Sequence, residues 1–190
     1  MPRYPLNNPI GVGDVMVTRE GNKLISLAIR AGAALAGLPA YCNHAIIVHH
    51  RDASGRWWGI EGRPSGVGYV ELGKRLDHPL TNINTDQPKT EDQRYLIAVA
   101  AESLLSIPYD WSAIRRHTEA ALKVSELLSL LPGVPEWDEN EIPTHVVCSS
   151  FADWAYERVG LANPGGHRRT RMTTPGHWDD FMLRRQWESP

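Results

Sequence analysis

A chain of 190 residues, 42% of them hydrophobic, is enough for one compact domain with its own core and leaves little material for a second. Twenty Lys and Arg against 22 Asp and Glu give a formal net charge of −2, so no broad basic field is offered to a nucleic-acid backbone. No apolar run reaches the roughly 18 residues of a membrane helix. The opening MPRYPLNNPIGVGD has neither a basic n-region nor an apolar h-region, so the expectation is a soluble chain made in a cytoplasm without a secretory signal. The two cysteines, Cys42 and Cys148, are too few for a disulfide framework; one bridge between them stays open, with free thiols the simpler expectation.

In chain order, GVGDVMVT reads as a short strand after a Gly-Asp turn, and Asn22 to Leu38 as an Ala- and Leu-rich helix stopped by Pro39. Asn43 to His50 reads as a strand. Strict alternation places Cys42, His44, Ile46, Val48 and His50 on one face, and Ala45, Ile47 and His49 on the other. Asp52 to Gly55 has hairpin-turn chemistry, Arg56 to Glu61 supplies the return strand, and Val67 to Leu72 a third, for a small antiparallel sheet over roughly residues 43–85. Thr90-Glu-Asp-Gln93 is a capping-box pattern, and Leu96, Ile97, Ala100, Ala101 and Leu104 follow at helical spacing until Pro108. Asp110 is placed to cap a further helix carrying Ile114, Leu122, Leu127, Leu128 and Leu131, and Pro135 to Pro143 reads as a surface loop. A last helix begins at Cys148 and runs to about Val159, with Phe151, Ala152, Ala155 and Val159 on the face of the thiol and Gly160 as its stop. The tail that follows mixes Arg168, Arg169, Arg171, Arg184 and Arg185 with Trp178, Phe181 and Trp187.

Cys148 is the residue that points to chemistry. It sits in HVVCSSFADWAYERVG at the first turn of a helix, where unpaired N–H groups and the macrodipole favour a thiolate, the form that attacks carbonyl carbon. Taken alone it reads more readily as an inert core cysteine, and His44 alone as a satisfied strand histidine. Their combination is what suggests a nucleophile with a general base. Glu61 lies in the neighbouring strand, where a carboxylate can accept the imidazole N–H and fix its tautomer, although an ordinary turn glutamate fits the spacing equally well. His145 ranks second as base, because three residues before the cysteine in an extended run it points away from the thiol. Cys42, His44, His49 and His50 invite a zinc reading. The alternation that turns His49 away from His44 and His50, and the lack of a paired-ligand motif, count against it, so no metal and no cofactor is expected.

Several of these segments resemble the NlpC/P60 superfamily of papain-like cysteine hydrolases. AAESLLSIPYDW is similar to the family's G-x-P-Y segment and VVCSSFADWAYERVG to its D-C-S-G-F helix start, while NHAIIVHH precedes both, the order of the circularly permuted branch. MTTPGHWDDF resembles a Thr-Pro motif of that branch. The resemblance implies an α+β, papain-like fold over residues 1–190 with a helical insertion at 112–143. It implies Cys148 as nucleophile, His44 as base, Glu61 as the orienting group, and Tyr109 lining the cleft and assisting the oxyanion. The chain departs from the pattern at Val147, where the family has Asp, at Ser150, where it has Gly, and at Ala45.

The expected activity is hydrolysis of an amide bond through an acyl-cysteine, with a peptide or a peptidoglycan fragment as substrate. A wall substrate then requires delivery by another route than secretion, such as a phage particle. A thioesterase or acyltransferase using the same chemistry on a lipid or other acyl donor is the second class. The third is a non-catalytic binding or assembly protein that uses the Arg/Trp tail as its contact surface.

Overall fold

The computed structural model describes residues 8–20, 24–35, 37–111, 143–164 and 173–188. Strands β1 (Val15–Thr18), β2 (His44–Arg51), β3 (Trp57–Arg63), β4 (Gly66–Glu71) and β5 (Asn82–Ile83) form one antiparallel sheet in the order β4-β3-β2-β1-β5. Helices α1 (Leu24–Leu35), α2 (Gly73–Leu76), α3 (Glu91–Ser103), α4 (Cys148–Glu157) and α5 (Pro175–Leu183) surround it, with a 3-10 turn at Gln186–Glu188. The architecture is therefore α+β. No helix among the described residues is long and apolar enough to cross a membrane.

The sheet is larger than the hairpins near residue 50 suggest. β1, first in the chain, lies between β2 and β5, so the sheet starts at Val15 and not at residue 43. Alternating residues of β1 enter two cores. Val15 and Val17 join Ala45, Ile47 and Ile60 beneath α3, α4 and α5, while Met16 joins Ile46, Val48 and Leu72 on the opposite face. A strand covered on both faces reads as a continuous apolar run, which is why VMV carries no alternation. Cys42 precedes the first paired residue of β2 and packs with the Ala45 and Ile47 side; the expected shared face of Cys42 and His44 is not found.

A second correction concerns the far end of β2. Val48 pairs with Gly59 and His50 with Trp58, so the register gains one residue at His49, a β-bulge. The extra residue breaks the alternation that was expected to separate the two histidines. His49 Nδ1 and His50 Nδ1 lie 2.8 Å apart instead.

Helix α3 starts as its sequence dictates, with the Thr90 hydroxyl accepting from Gln93 N–H at 3.2 Å and the Gln93 side chain accepting from Thr90 N–H at 2.9 Å. Helix α4 is more deeply placed than an amphipathic helix: every residue from Cys148 to Tyr156 is buried. Phe151, Ala152 and Ala155 face the main core as the spacing predicts, with Val159 packed at its margin. Both cysteines are free. Of the tail aromatics, Trp178 and Phe181 are buried in the main core, and the partly buried Trp187 packs against Phe181 at 5.3 Å between ring centres. Arg184 and Arg185, in contrast, remain exposed. Arg168, Arg169, Arg171 and the expected helix and loop within 112–142 lie outside the described residues.

Candidate active site

The site forms where β2 begins, β3 ends and α4 starts. β2 and β3 run antiparallel with Ile46 opposite Glu61, which puts the Glu61 side chain diagonal to His44 on the same face. His44 Nε2 and Glu61 Oε2 are 2.6 Å apart, with both residues buried. The next residue on β3, Gly62, turns its bare Cα toward the helix start: a Cβ there would sit 3.4 Å from both Cα and N of Cys148. Glycine lets α4 come this close to the strand.

The first turn of α4 is built around Ser150. Val147 has no side-chain acceptor, so the Ser150 hydroxyl accepts the Val147 N–H at 3.1 Å and donates to the Val147 carbonyl at 3.1 Å. The serine that replaces the expected glycine is therefore a cap. Ser149 donates to the Thr173 carbonyl, which fastens the turn to the segment leading into α5. Cys148 is held between rigid neighbours and is 2% exposed.

His44 faces both partners, the thiol and the carboxylate. Burial pulls its proton affinity down, but the charge of Cys148 and hydrogen bonds to Cys148 and Glu61 outweigh it, and the imidazole is pushed up to about 10. Tyr109 is set beside the helix start by a parallel bridge to Val146, close enough to Cys148 to feel its charge. Burial first, and then the Cys148 charge, push its phenol up, so it stays an O–H donor. Trp111 meets the Tyr109 ring edge-on at 5.4 Å between centres and is half exposed. His145 is exposed and contacts Thr144, on the outside of the segment leading to Cys148.

The comparisons with family models and with curated proteins give no match. The site is thus read from its own geometry. The residues themselves point to Cys148, His44 and Glu61, and the resemblance adds Tyr109; the fold places the four around the start of α4. Sequence spacing missed the groups behind Glu61. Arg75 Nη2 lies 3.7 Å from Glu61 Oε2 and Arg63 Nε lies 3.6 Å from Glu61 Oε1. The Arg75 Nε also donates to Glu20, whose backbone N–H and carbonyl are held by the Asn43 side chain at 2.7 and 2.8 Å. Glu20 and Arg75 are 55 residues apart and carry no motif, so no local signal pointed to them. Oxygen and nitrogen atoms of Glu20, His44 and Glu61 lie within 4.8 Å of one another, a spacing a cation can use. The Arg75 guanidinium stands among these carboxylates and supplies the positive charge itself, so the set reads as an ion-pair network.

Proposed function

We propose that the protein is a cysteine hydrolase of the permuted NlpC/P60, papain-like type that cleaves an amide bond through an acyl-cysteine. The observation that carries the reading is the buried His44–Glu61 pair at 2.6 Å, set against the start of α4 where the Cys148 thiol is near enough to raise the proton affinity of the imidazole. The Cys148 sulfur attacks the carbonyl carbon, and the Tyr109 O–H with the Cys148 N–H are the donors available to the oxyanion. The C–N bond breaks as the imidazolium of His44 protonates the leaving amine. Water, deprotonated by His44, then attacks the acyl carbon and releases the acid and the thiol. Glu61 holds the tautomer and stabilises the imidazolium. The substrate favoured by the resemblance is a peptide linkage of the peptidoglycan stem. An acyl-thioester or lipid substrate is the second reading, favoured by the aromatic wall of Tyr109 and Trp111 beside the thiol.

The deciding experiment is the pH dependence of iodoacetamide alkylation in the wild type and in His44→Ala. Cys42 does not confuse the readout, because burial and then the Asp179 charge push its thiol up. Fast labelling of Cys148 persisting below pH 7 in the wild type and lost in the variant is expected. Labelling that rises only near the free-thiol value of about 8.5 in both proteins would sink the reading. Amide and thioester substrates of the same acyl group then separate the two substrate classes.

A further inference from the structure

We propose that His49 and His50 form a site for a divalent transition metal such as nickel or copper at the outer end of β2, with Glu102 of α3 as the carboxylate that orients His49.

Consecutive strand residues ordinarily point to opposite faces. The bulge at His49 turns the pair together, and their Nδ1 atoms meet at 2.8 Å with the rings at 89°. The other nitrogen of His49, Nε2, lies 3.1 Å from Glu102 Oε1. The negative charge beside Nε2 favours the tautomer with the His49 proton on that nitrogen, which leaves Nδ1 a lone pair toward His50. That is the carboxylate–histidine arrangement found behind metal ligands. Glu102 is itself pinned by the Tyr69 hydroxyl at 2.6 Å. His50 is oriented independently, stacked on Trp58 at an interplanar angle of 4° and edge-on to Tyr69. Both imidazoles are thus preorganised, which lowers the entropy lost on binding.

Without metal, one proton on His50 Nδ1 serves the two nitrogens. On metal binding the His50 proton is exchanged through water from Nδ1 to Nε2, so that after a small rotation of the rings both Nδ1 lone pairs reach the ion, and imidazole pairs suit nickel, copper and zinc. His49, His50 and Tyr69 all keep contact with solvent, so water completes the coordination sphere and the ion has a way in. The pair is five and six residues along β2 from His44 and does not depend on the proposed hydrolase activity.

The test is calorimetric titration of untagged, full-length Cys148→Ser protein with nickel(II), together with the EPR spectrum of its copper(II) complex. One bound ion is expected, with two nitrogen couplings in the copper spectrum. His49→Ala and His50→Ala should each weaken binding by about 10-fold or more and remove one coupling, and Glu102→Gln should weaken it about 10-fold while keeping both. His50→Gln, which leaves the His49–Glu102 contact in place, covers the case in which His49→Ala does not fold. No nickel uptake overturns the proposal. So does uptake unchanged in the His50 variants, or uptake lost only with His44→Ala, which would put the ion in the thiol site.

Discussion

Glu61 is a buried carboxylate that keeps its charge. Burial works to raise its proton affinity, yet the hydrogen bond and charge of His44, and then Arg75 and Arg63, bring it below its ordinary value. Glu61→Gln preserves the shape and removes the anion that stabilises the imidazolium. The alkylation rate of Cys148 at pH 7 should fall about 10²-fold with an unchanged circular dichroism spectrum. An unaltered rate would remove Glu61 from the site. Asp153 is the opposite case. It is fully buried on α4, Thr173 and Trp178 are its polar neighbours, and neither of its oxygens reaches hydrogen-bond geometry with a partner among the described residues. Burial therefore pushes its proton affinity well above the ordinary value of 3.8. The folded state holds this proton more tightly than the unfolded one, so stability is lost as pH rises from 3.8 toward the folded value. Asp153→Asn removes that dependence. Urea melts should show the variant gaining on the wild type by up to about 1.4 kcal/mol per pH unit across this range. Parallel pH profiles would mean that Asp153 has a partner.

At the scale of elements, the start of α4 decides where the thiol stands. The Ser150 hydroxyl closes both the Val147 N–H and the Val147 carbonyl. Ser150→Ala should cost about 1–2 kcal/mol, read from the urea midpoint, and slow alkylation as the first turn loosens. A stability change without a rate change would make Ser150 a cap alone. What could be read in the sequence divides along the same line. The Thr90–Gln93 box and the His44–Glu61 hairpin depend on residues close in the chain and were legible, as was the inward face of α4. The place of β1 was not, because its partners, Ile47 on one side and Ile83 on the other, are chosen by two apolar faces that any strand of VMV type could satisfy. The bulge at His49 was hidden because a periodicity argument presumes that the period is unbroken.

At the scale of the molecule, one buried ion cluster ties distant segments together. Lys89 Nζ reaches Asp14 Oδ1 at 2.9 Å and the carbonyls of Asn84 and Gln87, and Arg94 reaches the same carboxylate oxygen at 2.9 Å. The Lys89 charge also lies over the Tyr156 ring of α4, 5.8 Å from its centre. Lys89→Met strips Asp14 of one of the two cations that reach it among the described residues. The loss should be about 3 kcal/mol in a urea melt, at the low end for a broken buried pair because Arg94 remains. A loss under about 1 kcal/mol would show that Arg94 alone neutralises the aspartate.

The Tyr156 hydroxyl donates to the Gly13 carbonyl across 143 residues, whereas His44 and Glu61 are separated by only 17. Synthesis runs from the N-terminus, so the hairpin that pairs imidazole with carboxylate is complete long before the segment bearing Cys148 leaves the ribosome. Under the proposed function, the nascent chain then carries the base before its nucleophile. For the proposed hydrolase, the assembly of the site then waits on the closing of the longest loops, whose entropy cost is the largest.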